Sequence, residues 1–286
     1  YGSGKSHFIK YLFYCLNKQY REVALNNFTE AVRKMPPLDD LTIGKATLLK
    51  NRLDTLRIEE IIFNIDAVST TSDGKDRITR VLLHQLNSHR GYNKTNIALA
   101  LYLEKRLDNQ GKFEAFKEKV YDRFGETWDD SNVSSYINSV LSGIIDVAHE
   151  LDPNIDKASL QAAIMDTSKD YSIEFLINEL KDYLKTKDEN FRLLFLMDEV
   201  SQYIGSDSTL LLNLQTIVEE IGSKIGTKVW IACTAQQDLA NLINNADSNT
   251  EDFGKILGRF DTQISLQSQD AAYITKKRVL DKNSSG

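Results

Sequence analysis

Gly2-Ser-Gly-Lys-Ser6, running straight into His7-Phe-Ile-Lys-Tyr-Leu12, decides the fold. It reads as the tail of the phosphate-loop pattern G-x-x-x-x-G-K-[ST], with Tyr1, Gly2 and Ser3 as its last variable positions. The first glycine of that pattern would lie two residues before Tyr1. With no initiator Met in front, we expect a fragment of a longer polypeptide. Small residues let successive backbone N–H groups curl around phosphate oxygens. A helix expected from His7 to Tyr20 would aim its N-terminus at the same anion. Lys5 is expected to reach the β/γ-phosphates and Ser6 to ligate Mg²⁺, with Gly2, Ser3, Gly4 and His7 completing the cradle. The plainer reading of the same residues is a flexible Gly-Ser turn.

Three further stretches fit a nucleotide site. Phe191-Arg-Leu-Leu-Phe-Leu-Met197 is a continuous apolar run of the kind that forms a central parallel strand, and it ends in Asp198-Glu199. That is the Walker B arrangement, in which Asp198 supports Mg²⁺ and Glu199 acts as general base toward the attacking water. Without the phosphate loop, the pair would read equally well as an acidic helix start. Thr234-Ala-Gln-Gln237 follows a second strand, Lys228 to Cys233. Thr234 first, and Gln236 second, are candidates to contact the γ-phosphate or the lytic water. Thr234 serves as well for an N-cap. Gly258-Arg-Phe-Asp261 precedes a plausible strand at Asp261 to Leu266. Arg259 there suits a finger offered to a neighbouring subunit's γ-phosphate, or a surface arginine.

Between these stretches the period changes. Ile61-Ile-Phe-Asn-Ile65 reads as a short buried strand. From Asp73 to Lys187 the chain reads as helix after helix, with stripes at Ile78, Val81, Leu82 and Leu86, at Val133, Ile137, Val140 and Ile144, and at Ile173, Leu176, Ile177 and Leu180. Leu210, Leu214, Ile217 and Ile221 make another. Strands alternating with helices imply an α/β fold, a mainly parallel sheet with helices on both faces. The expected organisation is an N-terminal part of the core at 1–72, a helical insertion at 73–187, and a C-terminal part of the core at 188–286.

Composition narrows the class. The 286 residues carry 41 Asp and Glu against 35 Lys and Arg, which excludes a generally basic nucleic-acid coat but not a local basic patch. Lys276-Lys-Arg278 is one such cluster, more simply read as a solvated face; Arg77, Arg80, Arg90 and Lys94 invite the same reading. Tyr and Phe do not interleave with basic residues in sequence as a stacking platform would. No apolar run is long enough for a membrane span, and nothing resembles a signal peptide. Cys15 and Cys233 lie far apart among apolar neighbours, so core thiols in a reducing cytoplasm are expected. His7, His84, His89 and His149 have no zinc-ligand spacing.

Gly2-Ser-Gly-Lys-Ser-His-Phe-Ile-Lys-Tyr-Leu12, Leu194-Phe-Leu-Met-Asp-Glu-Val200, Trp230-Ile-Ala-Cys-Thr-Ala-Gln-Gln237 and Gly258-Arg-Phe260 together resemble the AAA+-type P-loop domain. More narrowly, the chain resembles the BrxC and PglY family, the large ATPases of bacteriophage-exclusion (BREX) defence systems. Phe63-Asn-Ile-Asp66 and Phe124-Gly-Glu-Thr-Trp128 add to the likeness. The resemblance covers nearly the whole chain. It implies a cytoplasmic homo-oligomer within an antiviral complex, with a methyltransferase and other BREX components as neighbours and DNA as the final target. It implies ATP-driven assembly or remodelling with Mg²⁺, and no membrane. The resemblance also implies a C-terminal lid, which is expected to be missing because the chain stops just after Lys276-Lys-Arg-Val-Leu280. ATP rather than GTP is the default, since no guanine-reading motif stands out. Two rival functions fit the same motifs: a nucleotide-gated scaffold with little turnover, and a DNA-translocating motor.

Overall fold

Three strands run parallel in the order β1-β2-β3: β1 (Arg57–Asn64), β2 (Phe191–Asp198) and β3 (Val229–Cys233). The structure, a computed structural model, describes residues 4–34, 40–68, 76–128, 130–166, 171–205 and 207–235, together with 260, 262 and 264. The expected strand at Asp261 to Leu266 lies outside the described residues except for Thr262 and Ile264. Register is continuous from Arg57↔Phe191 to Asn64↔Asp198, and from Leu193↔Val229 to Met197↔Cys233. The middle strand is apolar apart from Arg192 near its start and Asp198 at its end. Phe191, Leu193, Phe195, Leu196 and Met197 are fully buried there, as a parallel strand covered on both faces requires. β3 departs from the expected buried strand. Only Val229 is buried and Trp230 is half exposed. The reason is its place at the edge of the described sheet, with β2 as its one described partner.

The chain divides into two compact units, Tyr1–Arg77 with Ile173–Gly286, and Ile78–Ser172. In the first, α1 (Lys5–Leu16), α2 (Arg21–Arg33) and α3 (Asp40–Asp54) precede β1 and pack in succession, with α1 lying on β1 and β2. Arg21 ties the three helices together. Its buried guanidinium donates to the Leu16 carbonyl at 2.7 Å, to the Leu53 carbonyl at 2.7 Å and to Asp54 at 3.1 Å. Two C-terminal helix carbonyls thereby gain the partners that a helix end lacks. After β1 the chain makes the short α4 (Ile65–Val68) and enters α5 (Arg77–His89).

The second unit holds the rest of α5, a π-helical segment at Leu99–Glu104, then α6 (Lys105–Asp108), α7 (Phe113–Phe124), α8 (Asp130–Leu151) and α9 (Lys157–Met165). It has a core of its own, built from Leu103, Leu107, Phe116, Val120, Trp128 and Ile144 among others. Phe116 meets the Trp128 ring edge-on at 4.8 Å between centroids. The indole N–H donates to the buried Glu104 at 2.7 Å, and the Asn93 backbone N–H donates to its other oxygen at 2.6 Å. A buried carboxylate is tolerated there because both oxygens are bonded. Gly125 ends α7 in the left-handed conformation, and Gly143 lets α8 approach the Phe124 ring, which a Cβ would meet at 2.7 Å.

The chain then returns to the sheet. α10 (Ile173–Leu184) buries Leu176, Ile177, Leu180 and Leu184 and belongs with the sheet unit. α11 (Val200–Ile204) and α12 (Ser208–Lys224) connect β2 to β3. Asp207 caps α12, accepting from the N–H groups of Thr209 and Leu210. α12 packs on α10 and β3 through the stripe Leu210, Leu214, Ile217 and Ile221.

Candidate functional site

Parallel strands end on one side of a sheet, so β1, β2 and β3 deliver Asn64, Asp198 and Thr234 to a common edge. Asn64 and Asp198 are register partners. Thr234 extends the β2–β3 pairing by one step, its N–H donating to the Met197 carbonyl at 3.0 Å. Its own carbonyl accepts from the Val200 N–H at 3.1 Å, which pins the start of α11. The Thr234 hydroxyl donates to Asp198 Oδ1 and accepts from the Glu199 N–H at 3.0 Å. Asp198 is buried and also accepts from the Glu199 N–H at 3.1 Å.

Glu199 sits at φ 62°, ψ 29°, and no other non-glycine described residue has positive φ. Left-handed backbone costs an L-residue about 1–2 kcal/mol. The strand-to-helix turn imposes it, because the Thr234 hydroxyl and the Asp198 carboxylate both hold the Glu199 N–H. Its side chain is then met by Asn64, whose Nδ2 donates to Glu199 Oε2. The Asn64 amide is oriented from its other end. Its Oδ1 accepts from the N–H groups of Asp66 at 3.0 Å and Ala67 at 3.3 Å, capping α4. One asparagine thus ends β1, starts α4 and holds a carboxylate that belongs to β2.

The phosphate-loop tail stands at the start of α1. Gly4 is its N-cap residue at φ 73°, a left-handed position that glycine takes without strain, and the Gly4 carbonyl accepts from the Phe8 N–H at 2.8 Å. Lys5 and Ser6 are half-buried and His7 is exposed in the first turn, where backbone N–H groups have no intrahelical acceptor. Gly2 and Ser3 lie outside the described residues, as do Gln236 and Arg259.

The neighbouring polar groups are quiet. Cys233 and Cys15 are half-buried residues; desolvation of the sulfur pushes the Cys233 thiol up to about 12 and raises the Cys15 thiol, which disfavours the thiolate form of both. Tyr203 on α11 lies under the Arg77 guanidinium at 5.3 Å, and burial raises its phenol pKa against the opposing pull of that charge. Among the described residues no three His, Cys, Asp or Glu side chains gather to hold a metal. Magnesium bound with a nucleotide needs only one or two protein oxygens beside phosphate and water. The Asp198 carboxylate and the Ser6 hydroxyl are donors of the right kind.

Residues 1–251 match the KAP family P-loop domain. The chain belongs to that family. No solved structure matches it. The KAP domain is therefore a P-loop NTPase domain of the α/β class, and the expected phosphate-loop fold is the one observed. In the KAP domain described here, no helix among the described residues is long and apolar enough to cross a membrane.

Sequence reasoning assigned Asp198, Glu199 and Thr234 to one place, and the structure brings those three together. The sequence marks Asn64 only as part of Phe63-Asn-Ile-Asp66 and assigns it no role. A signal was present: a side-chain amide at the last position of an apolar strand, one residue before a helix start, suits a cap and a strand-tip donor.

Proposed function

We propose that the KAP domain hydrolyses ATP with Mg²⁺ at the edge where β1, β2 and β3 end. The observation that carries this reading is the Glu199 carboxylate, held in a strained turn with one oxygen fixed by Asn64 and the other left for a water proton. In the proposed reaction, Oε1 of Glu199 takes a proton from water as the water oxygen bonds to the γ-phosphorus. The bond from that phosphorus to the β,γ-bridging oxygen breaks, giving ADP and phosphate. Lys5 and the N–H groups that follow Gly4, with Gly2, Ser3 and His7, bind the phosphates. Bound Mg²⁺ would neutralise charge on the phosphate oxygens, with Ser6 and Asp198 as its protein donors.

Thr234 acts in this reading by alignment. Its proton is committed to Asp198 and its oxygen to the Glu199 N–H, so it positions the metal-supporting carboxylate and the base together. Arg259 would be supplied to the active site of a neighbouring subunit in a homo-oligomer. At the level of biology, the motif resemblance supports a cytoplasmic BREX-type defence ATPase of AAA+ character, remodelling a complex that includes a methyltransferase and acts on DNA.

Phosphate release from Mg-ATP by the full-length protein, compared with its Glu199→Gln and Lys5→Ala variants, tests the reading. Glu199→Gln should keep nucleotide affinity and lose turnover by about 10²–10⁴-fold. Lys5→Ala should lose binding. Wild-type turnover in the first, or wild-type affinity in the second, removes the corresponding assignment. Binding without turnover in the unmodified protein favours a nucleotide-gated scaffold instead.

A further inference from the structure

Charge is distributed unevenly along this acidic chain. Residues 1–57 carry ten Lys and Arg against five Asp and Glu, whereas the rest carries 25 against 36. The contrast extends to pairing. Outside α1–α3 many cations meet a carboxylate, as in Lys117–Glu114, Arg123–Glu150, Lys157–Asp146 and Lys228–Glu189. Within α1–α3, Lys10, Lys18, Arg33, Lys45, Lys50 and Arg52 have no carboxylate partner among the described residues. Unpaired cations at this density repel one another and leave a local field that attracts polyanions.

The same layer exposes aromatic rings. Tyr14, at the end of α1, is 45% exposed, and Tyr20, at the start of α2, is 42% exposed. The two rings meet edge-on at 5.4 Å between centroids. Lys18 lies between them in sequence, a local interleaving of rings and cations that departs from the expectation of no stacking platform, and it leads into a groove of about 560 Å³. Lys50 and Arg57 also line that groove, and Leu56, Ile58 and Phe191 give it an apolar side. Of its acids Glu22, Asp54 and Glu59, Asp54 is paired with Arg21 and Glu59 with Lys187, and Arg57 is paired with Asp188, so Lys18 and Lys50 are its unpaired cations among the described residues. Buried Arg21 also lines it, bonded to the Leu16 and Leu53 carbonyls and to Asp54 at the ends of α1 and α3. The groove lies where β1 and β2 begin, and the candidate nucleotide site lies where they end. Eight residues of strand separate them by about 25 Å, so the groove is a different place from the site described above.

We propose that the α1–α2 corner and this groove bind single-stranded nucleic acid. Cations that track a phosphate backbone, beside exposed rings on which bases stack, are the two components such binding uses. Duplex readout would call for an element shaped to enter a groove of the helix, and the corner presents rings and a cleft instead. The proposal stands apart from the hydrolytic assignments and needs neither Glu199 nor Lys5.

The test is fluorescence anisotropy of a labelled oligothymidylate of roughly 20 nucleotides, the length being a choice that exceeds the typical site size of such surfaces. The full-length protein is titrated over a range of salt concentrations. An abasic oligonucleotide of equal length is the comparison probe. A double variant, Lys18→Ala with Lys50→Ala, should weaken binding tenfold or more. It should also flatten the slope of log affinity against log salt by about 1.4, two single-strand phosphate contacts at roughly 0.7 each. Tyr14→Ala should weaken oligothymidylate binding about tenfold while leaving the slope unchanged, because stacking carries no counterions. The abasic probe should bind more weakly and ignore Tyr14→Ala. These variants remove no internal ion pair, and an unchanged circular dichroism melt verifies their folding. Unchanged affinity and slope in the lysine variant overturn the proposal. Equal binding of both probes by wild type and Tyr14→Ala overturns it in favour of a generic polyanion surface. A change in oligomeric state without a change in oligonucleotide binding overturns it in favour of a contact between copies.

Discussion

Replacing Glu199 by glycine and, separately, by alanine isolates the strain in the turn that carries the proposed base. Both substitutions remove the carboxylate, and both leave Asn64 Nδ2 without its acceptor, so those losses cancel in the comparison. What remains is the backbone. At φ 62° and ψ 29° an alanine keeps the Cβ–carbonyl crowding that costs about 1–2 kcal/mol, and a glycine does not. Glycine also has more freedom to lose on folding, which returns a few tenths to 1 kcal/mol. Glu199→Gly should therefore be the more stable of the two by about 1 kcal/mol. In urea, with a slope of about 2–3 kcal/mol per molar for a unit of this size, the unfolding midpoints should differ by about 0.3–0.5 M. The readout is the Trp fluorescence transition, with the indole of Trp230 on β3 reporting the sheet unit. Neither variant should release phosphate. Identical midpoints, or a more stable alanine variant, would refute the strained turn. A glycine variant with retained turnover would refute the base.

Three other outcomes are expected. Asn64→Ala should lower kcat about tenfold with KM unchanged, because a loosened Glu199 misplaces the proton acceptor without touching the phosphate cradle; steady-state kinetics decide it, and an unchanged kcat removes Asn64 from the mechanism. His84, buried on α5, has its pKa lowered to about 4 from the ordinary 6.5, first by burial, then by the Arg80 charge, and against a hydrogen bond to the Lys94 backbone. Folded His84 stays neutral while the unfolded chain takes up a proton below pH 6.5, so its contribution is intact above that value and falls away toward pH 4, by about 2 kcal/mol at pH 5. Urea midpoints at pH 7 and pH 5 should converge in His84→Leu relative to the unmodified protein, and an equal pH difference in both would exclude the histidine. Phe116→Ala empties the centre of the helical unit and should cost about 3–5 kcal/mol, seen as a lower thermal midpoint for that unit, and a loss under 1 kcal/mol would contradict its packing against Trp128.

The sheet was legible in the sequence where burial alone decides an element. Phe191 to Met197 can only be a strand covered on both faces, and a glycine followed by Lys5-Ser6 before an apolar helix has few other uses. Asp198, Glu199 and Thr234 could be assigned together because strand ends in a parallel sheet share an edge. Less was legible where tertiary partners choose. α2 and α3 mix charged and apolar residues without a clean stripe, since Arg21, not an apolar face, joins their ends. β3 is less buried than its apolar pentapeptide suggests, because such a run does not reveal how many neighbours its strand has, and among the described residues it has one. Asn64 was missed because its importance lies in a partner far along the chain, and no local pattern marks a hydrogen bond across that separation.

β1 and β2 are neighbours in space, yet residues 65–190 lie between them in the chain. Had that whole stretch to be closed as flexible coil, the entropy of joining its ends would weigh on every route to the native state. Residues 78–172 carry a core of their own, so they can condense first and take themselves out of the loop. The flexible length then shrinks roughly fourfold, which lightens closure by about 1 kcal/mol. A helical unit that condenses first would thus act as a folding aid by shortening the loop to be closed. On this order the pairing that joins Asn64 to Glu199 comes late, and a lesion deep in the Phe116 core is expected to delay the candidate site's strand edge.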